Sequence, residues 1–333
     1  MGVKMGRTWR RQAMALSCAL TLAGCASAPP PAPPEDPPLT YEGLPLPPGA
    51  IVDPPGVPPA GEFATADFDW PGSLRPVDEE DGIGGALHKI RERGRLLVGI
   101  DQSQYLLSYR DTAVGDLRGF EVDLAHEIAG DILGDPEKVD FRFVESASRS
   151  EMLQSGAVDM VIRTMSITQE RTHKVAFSTP YMISYVRVLA PRDRGIDTVE
   201  DLAGKRVCIV DGTNLLNLVR TVAPESEVLR ARSWSDCLMT TQQYQSDAVL
   251  GDDAILAGMT AQDPHTEILP KSLARQLYAV GIPKGHDDLV RAVNDTIERI
   301  RNDGTWNRMH QQWLGDSLAE PVPPPLMYRE EEQ

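Results

Sequence analysis

The stretch from Val161 to Arg171, VIRTMSITQER, places hydroxyl side chains and arginines where an apolar run ends. Ser166 and Gln169 have the spacing of a capping box, which predicts a helix that begins just after the hydroxyl cluster. Free N–H groups at a helix start attract a carboxylate, and Arg171 in the first turn can add a bidentate contact. A capped surface helix with a solvated arginine fits the same spacing. The residue pattern leaves these two interpretations equally open.

Two further polar groups follow predicted strands in the second half of the chain. In DGTNLL (211–216), Gly212 lets the backbone approach a ligand closely, and Thr213 can cap the next helix. This turn lacks the lysine of a phosphate-binding loop and the glycines of a dinucleotide fingerprint, which argues against nucleotide binding. In DAVLGDD, Asp252 lies at the far end of a strand, where its carboxylate could pair with an ammonium group. An ordinary turn and a simple helix cap are the alternatives.

The elements that must position these groups alternate between strand and helix. Apolar strands are predicted at 96–100, 158–162 and 206–210, and apolar residues at every fourth position from Phe120 predict an amphipathic helix that begins near Glu121. The alternation predicts an α/β fold with mainly parallel sheets, and its recurrence in two runs predicts two lobes. Ligands of such sheets bind at the carboxyl ends of strands. The continuous apolar segment 174–191 suits either a hinge strand between the lobes or a buried edge strand.

The N-terminal residues are predicted to lie outside the fold. A basic start is followed by the apolar run Ala13–Ala23, which at eleven residues is too short to span a bilayer, so residues 1–24 are typical of a signal peptide. The sequence LAGC that ends at Cys25 resembles the lipobox of bacterial lipoproteins, which would make Cys25 a lipid-bearing residue. A chance cysteine is the alternative. Residues 25–84 are predicted to form a proline-rich tether, and residues 319–333 a disordered tail.

Charge and cysteine content exclude several classes of function. The chain of 333 residues has a net charge of −16, which falls to −20 without the four basic residues of the signal peptide, so nucleic-acid binding is excluded. The six histidines are scattered and give no metal-ligand spacing. In an exported chain, Cys208 and Cys237 are the cysteines left over, which predicts a disulfide between them; a metal pair is the weaker alternative.

The order of these motifs over about residues 88–315 resembles the type II periplasmic binding proteins, in the polar amino-acid branch (family 3) of the solute-binding proteins. The similarity is greatest to actinobacterial GlnH-type lipoproteins that bind glutamine, glutamate or aspartate. The motifs that carry it are GRLLVGIDQ, GFEVDLAHEIAGDILG, LQSGAVDMVI, SITQER, FSTPY, VEDLAGKRV, DAVLGDD, YAVGIPKG and NDGTWNRMHQQWL. The resemblance implies an α/β protein of two lobes with a hinge and a ligand cleft between them. We expect lobe 1 to comprise residues 85–189 and 276–318, and lobe 2 to comprise residues 190–275.

The resemblance also implies how a free amino acid would be held. Arg171, with Thr164 and Ser166, would bind the α-carboxylate, and Asp252 would bind the α-ammonium. From the other lobe, the turn that contains Thr213 and Asn214 would contribute further contacts.

Additional arginines distinguish this chain from many relatives and bear on its ligand. Arg163 stands where many relatives have a small residue, and Arg149 opens a short helix near the same strand ends. Gln104 or Tyr105 occupies the position where many relatives place an aromatic residue over the ligand. The arginines favour aspartate or glutamate, with asparagine or glutamine next.

The expected function is that of a non-catalytic receptor. It would be lipid-anchored on the outer face of the membrane, monomeric and without a cofactor or metal, and would serve an ABC permease or a membrane sensor protein. The alternative is an enzyme on the same scaffold, like small periplasmic dehydratases, with Glu145 and His173 as candidate acid and base groups.

Overall fold

The computed structural model describes residues 44–61, 63, 69–77, 85–318 and 322–330. The predicted signal peptide (1–24) and the predicted lipid-bearing Cys25 lie outside the described residues. No helix within the described ranges is both long and apolar enough to cross a bilayer.

Strands and helices alternate along most of the chain, as the sequence predicts. The strands are β1 (Ile51–Asp53), β2 (Leu96–Ile100), β3 (Ser103–Gln104), β4 (Ser108–Arg110), β5 (Leu117–Arg118), β6 (Val139–Phe143), β7 (Met160–Val161), β8 (Ala176–Phe177), β9 (Met182–Pro191), β10 (Arg206–Val210), β11 (Glu227–Ala231), β12 (Ala248–Asp252), β13 (Thr266–Ile268), β14 (Ala274–Tyr278) and β15 (Gly281–Ile282). The helices are α1 (Ala86–Arg93), α2 (Phe120–Leu133), α3 (Arg149–Gln154), α4 (Gln169–Thr172), α5 (Leu215–Val222), α6 (Trp234–Gln242), α7 (Asp253–Gln262), α8 (Asp287–Asn302) and α9 (Thr305–Trp313).

Lobe 1 is built on a sheet with the strand order β6-β2-β7-β15-β8. One side of this sheet is parallel, since β2 pairs in parallel with β6 and β7, whereas β15 runs antiparallel to β7 and β8. The apolar stripe of α2 is buried in this lobe, including Phe120, Leu124 and Ile128. Each such side chain contributes roughly 1.5–3 kcal/mol to folding, which fixes α2 and the adjacent turns.

Lobe 2 is built on a larger sheet with the strand order β1-β11-β10-β12-β9-β13, in which β14 also pairs with β9. Strands β11, β10 and β12 are parallel, and the flanking strands are antiparallel. A disulfide joins Cys208 on β10 to Cys237 on α6, the pairing predicted from the sequence. The predicted two-lobed α/β fold is confirmed, with parallel pairing confined to β6-β2-β7 in lobe 1 and to β11-β10-β12 in lobe 2.

The predicted lobe boundaries at 189/190 and 275/276 are wrong. The apolar run from Met182 to Pro191 is a buried strand of the lobe 2 sheet, and β14 lies beside it. The chain therefore crosses between lobes at residues 178–181 and returns at 279–280. At this crossing the Tyr181 N–H donates to the Tyr278 carbonyl (2.9 Å), and the Ser178 N–H donates to the Val280 carbonyl (3.0 Å).

The predicted tether and disordered tail also need correction. Strand β1 extends the lobe 2 sheet, and Ser73, further along the predicted tether, is buried on lobe 1. Tyr328 in the predicted tail forms a parallel bridge with Ser73, so residues 322–330 contact the same lobe. These segments dock through backbone hydrogen bonds, a few buried polar groups and isolated apolar side chains such as Leu74, Trp70 and Met327, which leave no apolar periodicity in the sequence.

Candidate functional site

Elements of both lobes converge on a narrow cavity of about 10 Å³ between the two lobes. The lining residues are Ser146, Arg149, Thr164, Ser166, Arg171, Thr213, Asn214, Leu215, Trp234, Asp252 and Ile255. Seven predicted site residues line the cavity, and Arg163, Gln104 and Tyr105 do not. The lobes touch directly beside it, because Gly212 (φ +71°) packs so tightly on Ala147 that a Cβ atom there would overlap.

Arg171 lies in the single turn of α4, the next helix along the chain after β7. The Thr168 hydroxyl caps this turn by accepting from the Arg171 N–H (3.3 Å), so the helix begins after the hydroxyl cluster as predicted, but with Thr168 in place of Ser166 as the cap. The guanidinium donates to the Ser166 carbonyl (2.8 Å) and reaches the Gly212 carbonyl of lobe 2 (3.4 Å). Burial lowers the pKa of Arg171 to about 10, which still leaves it cationic at neutral pH.

Arg149 is the second guanidinium of the lobe 1 wall and is 3% exposed. It donates to the carbonyls of Ser146 (2.9 Å), Arg163 (3.1 Å) and Thr164 (3.3 Å), and it also reaches Gly212 of lobe 2 (3.4 Å). Burial and then the charge of Arg171 lower its pKa well below the usual arginine value. In the described part of the chain no carboxylate forms an ion pair with Arg149, so a buried cation faces the cavity without a counter-ion.

Arg163 does not face the ligand cavity, and the expectation that it contacts a ligand side chain needs correction. Its side chain is 0% exposed, forms an ion pair with Asp101 and donates to the Ser146 hydroxyl. The Asp101 carboxylate also accepts from the backbone N–H groups of Gln102 (2.8 Å) and Ser103 (2.7 Å). Arg163 is therefore part of the packed support behind the lobe 1 wall.

The turn at Thr164 is held in the left-handed region, at φ +41°, by a buried carboxylate. Glu121 accepts from the Thr164 N–H (2.6 Å) and from the Tyr181 hydroxyl (2.5 Å), and its burial raises its pKa. The Thr164 N–H is consequently occupied, so only the hydroxyl of Thr164 can serve the expected binding of a ligand carboxylate. The Thr164 hydroxyl and Ser166 remain on the cavity wall.

Gln104 and Tyr105 support the cavity from outside its lining. The Gln104 side chain is buried and donates to the Thr164 hydroxyl (3.4 Å). The Tyr105 ring packs on Tyr109, with ring centroids 4.7 Å apart, and its carbonyl presses against Gly258 of α7 in lobe 2. Neither side chain occupies the expected position over a ligand.

Asp252 supplies the charged group of the lobe 2 wall. It lies at the end of β12, is 4% exposed, and accepts from the Tyr278 hydroxyl (2.5 Å) and the Gln276 amide (3.1 Å). Its side chain makes no capping bond to α7, so the helix-cap alternative does not describe it. Burial raises the pKa of Asp252 to about 6. This carboxylate is positioned to receive a cation.

The rest of the lobe 2 wall is a polar turn with an apolar floor. The Asn214 amide exchanges hydrogen bonds with Gln276, whereas the Thr213 hydroxyl donates to the Val210 carbonyl (2.7 Å) of its own turn. Sequence reasoning missed the floor residues Leu215, Trp234 and Ile255. A usable signal existed for one of them, since Ser233 and Asp236 form a capping box that starts α6 directly at Trp234, past the end of β11.

The chemistry of this cavity is therefore that of two guanidinium groups facing one carboxylate. Such walls can hold an anionic group on one side and an ammonium on the other. Among the residues that the structure describes, no cluster of three His, Cys, Asp or Glu side chains could hold a metal ion.

The chain is similar to known proteins in both sequence and structure. Residues 96–316 match the model of the bacterial extracellular solute-binding proteins, family 3. The chain is 30% identical over 235 residues to the ABC transporter glutamine-binding protein GlnH of Bacillus subtilis, covering 70% of this chain and 86% of that protein. It is 29% identical over 274 residues to the glutamate-binding protein GluB of Corynebacterium efficiens, covering 78% and 92%.

The fold is also similar to a solved receptor. The solute receptor for L-cysteine of Neisseria gonorrhoeae superimposes with a TM-score of 0.67 at 27% identity, covering 72% of this chain and 97% of that one. The family match covers the strands and helices that build both walls of the cavity. The chain belongs to family 3 of the bacterial extracellular solute-binding proteins.

Proposed function

We propose that this protein is a receptor that binds a free acidic amino acid, aspartate or glutamate, in the cavity between its lobes. The observation that carries the proposal is the charge of the cavity lining, with Arg149 and Arg171 on lobe 1 and Asp252 on lobe 2. A neutral amino acid has one carboxylate and one ammonium, and it would leave one guanidinium unpaired. An acidic amino acid supplies the second carboxylate.

Each group of the ligand then has an assigned partner. Arg171, with Ser166 and the Thr164 hydroxyl, binds the α-carboxylate, and Asp252 binds the α-ammonium. Arg149, the second guanidinium of the lobe 1 wall, binds the side-chain carboxylate, because its own hydrogen bonds end on carbonyls and no carboxylate of the described residues pairs with it. Charge-assisted bonds of this kind are shorter and stronger than neutral ones, and a water-poor cavity strengthens them further. Asparagine and glutamine would fit the same frame with weaker contacts at Arg149.

The cellular role follows from the sequence and the family. We infer that the chain is exported, is attached to the outer face of the membrane through lipid on Cys25, and acts as a monomer. It passes its amino acid to an ABC permease or reports it to a membrane sensor protein.

The dehydratase-like alternative finds no support at its two candidate residues. Glu145 is occupied by an ion pair with Arg232 of lobe 2. The exposed side chain of His173 lines a groove on lobe 1 apart from the cavity. A receptor without turnover is the function we propose.

Calorimetric titration of the mature chain, with Cys25→Ser to prevent lipid attachment, against the twenty amino acids tests this proposal. We expect aspartate or glutamate to bind with the highest affinity and to be recovered unchanged by NMR. Arg149→Gln should weaken aspartate at least about tenfold more than asparagine, since it removes a charge-assisted bond worth roughly 1.5–3 kcal/mol.

The matched control is Arg142→Gln, which removes an exposed arginine of the same lobe and should leave both affinities unchanged. Equal weakening of aspartate and asparagine by Arg149→Gln would contradict the assignment of Arg149 to the ligand side chain.

A further inference from the structure

Two polar side chains of β14, Gln276 and Tyr278, are buried beside the lobe 2 wall of the cavity. They are two positions apart in an extended strand, so both side chains project from the same face of the sheet. Gln276 is 3% exposed and Tyr278 is 0% exposed. A buried amide or hydroxyl costs free energy unless a partner satisfies it, so the partners of these two groups indicate what they serve.

Both side chains donate to the same carboxylate. The Tyr278 hydroxyl donates to Oδ2 of Asp252 (2.5 Å), and the Gln276 amide donates to Oδ1 (3.1 Å). One donor on each oxygen fixes the rotation of the carboxylate group, and each oxygen keeps a further lone pair for a ligand. The Gln276 amide also exchanges hydrogen bonds with Asn214 (3.0 and 3.4 Å). Strand β14 therefore holds two polar residues of the lobe 2 wall.

The backbone at the end of β14 is paired with lobe 1. The Ile167 N–H donates to the Leu277 carbonyl (2.9 Å), and Ser166 forms an antiparallel bridge with Tyr278. Ser166 belongs to the lobe 1 wall. One residue, Tyr278, is thus joined to the anion-binding turn through its backbone and to the facing carboxylate through its hydroxyl.

The ionisable groups that act on Asp252 come from three elements, with Tyr278 on β14, Asp253 on α7 and Arg171 on α4. Burial raises the pKa of Asp252 most, and the charge of Asp253 raises it further. The Tyr278 hydroxyl is the strongest influence that lowers this pKa, followed by the Gln276 amide and then by Arg171. Hydrogen bonds to a carboxylate favour its charged form, so β14 counteracts the effect of burial.

We propose that Tyr278 and Gln276 are positioning residues of the ligand site, which aim the Asp252 carboxylate at the ammonium group of a bound amino acid and keep it ionised. The inference rests on the proposed function, since it takes Asp252 as the partner of that ammonium. Neither side chain contacts the ligand itself. Because the Tyr278 backbone is paired with Ser166, the same residue also keeps the cation-binding and anion-binding walls in register.

Tyr278→Phe in the mature chain with Cys25→Ser tests this role, because it removes the hydroxyl and keeps the ring that packs beside Tyr181. NMR titration of the Asp252 carboxyl carbon, identified by its absence in Asp252→Asn, measures the pKa without ligand. We expect this pKa to rise by about one to two units, as a charge-assisted hydrogen bond is lost.

The same variant should show a characteristic pH profile of binding. In calorimetric titrations, its affinity for L-aspartate should be roughly three- to tenfold lower at about pH 7, because less Asp252 is ionised there. Most of this loss should disappear at about pH 8.5, where the carboxylate is charged again. A hydroxyl that served only the fold would weaken binding equally at both pH values.

A second variant and a control accompany this test. Gln276→Met removes the other donor and should raise the pKa of Asp252 in the same direction by less than about one unit, since a neutral amide bond is weaker. It also decides the proposal if Tyr278→Phe does not fold. The control is Tyr185→Phe on the neighbouring strand β9, which removes the hydroxyl of a side chain that is 39% exposed and should change neither the pKa nor the affinity.

An unchanged pKa of Asp252 in Tyr278→Phe and Gln276→Met would overturn the proposal, as would an affinity loss that is the same at both pH values. Failure of the unsubstituted protein to bind any amino acid would instead contradict the proposed function. The ligand-free pKa would still decide, in that case, whether β14 keeps Asp252 ionised.

Discussion

The two walls of the cavity are built by different means. The lobe 1 wall carries both guanidinium groups on short turns, and backbone carbonyls satisfy most of their hydrogen bonds. The lobe 2 wall carries one carboxylate at the end of a central strand, held by Tyr278 and Gln276 from the strand that returns to lobe 1. The first wall presents excess positive charge, and the second a single anion above an apolar floor.

This difference indicates where affinity and stability conflict. Burial opposes the charged forms of Arg149, Arg171 and Asp252 alike, so a ligand group of opposite charge would favour the charged form of each. Arg163 is equally buried but already has Asp101 as its partner. A buried charge without an ion-pair partner therefore indicates a ligand contact, whereas a buried charge that has such a partner indicates a structural support.

The largest effect is expected at the arginine common to every ligand. Arg171→Ala should weaken aspartate and asparagine alike by about 3–5 kcal/mol, or roughly a hundred- to several-thousand-fold, because the ligand carboxylate would be buried without its partner. Isothermal calorimetry measures both affinities.

Arg142→Ala, at the surface of the same lobe, is the control and should change neither affinity. If Arg171→Ala bound aspartate with undiminished affinity, the α-carboxylate could not be bound by the lobe 1 wall.

The next effect separates the two arginines of lobe 1 by stability. Arg163→Met leaves Asp101 buried without its ion pair and should lower the free energy of unfolding by about 3 kcal/mol. Arg149→Met removes a cation that has no carboxylate partner and should change it by less than about 1 kcal/mol, since lost carbonyl bonds offset the relief of burial. Urea denaturation without ligand gives both values.

The reverse order, with Arg149→Met the more destabilising variant, would show that Arg149 serves the fold. Arg149 would then be a structural residue and not a ligand contact.

The smallest effect concerns the carboxylate of lobe 2. The pKa of Asp252 is raised to about 6, so ionisation of this carboxyl destabilises the folded protein. The loss of stability grows as the pH rises from about 4 to about 6 and reaches roughly 2–3 kcal/mol. Asp252→Asn should therefore raise the Tm of the ligand-free protein by a few degrees at pH 7.5 while weakening amino-acid binding. In the unsubstituted protein, affinity should fall as pH decreases through about 6, because a proton then competes with the ligand ammonium.

Scanning calorimetry and titrations from pH 5 to 8 follow both quantities, with Asp193→Asn as the control. A binding curve that is flat across this range would mean that Asp252 does not bind the ammonium.

The sequence identifies the charged ends of the site because Arg171 lies in the turn that follows β7 and Asp252 ends β12, and strand ends in α/β sheets converge. Arg163 could not be interpreted in this way, since its partner Asp101 is far away along the chain and only the packed sheet brings them together. The occupied N–H of Thr164 depends in the same way on Glu121. Trp234 could have been found from its capping box. The dehydratase candidates Glu145 and His173 could be judged only from the tertiary structure.

Strand β1 has a consequence for how the protein can be produced. It covers the outer edge of β11, whose unpaired N–H and carbonyl groups would otherwise be a template for pairing with another chain. A chain that starts at residue 85, where the sequence alone places the beginning of the folded body, would expose this edge and leave Arg220 and Arg230 without Asp53. Such a truncated chain would be prone to self-association through its second lobe, so preparations for crystallisation or binding studies should begin no later than Leu44.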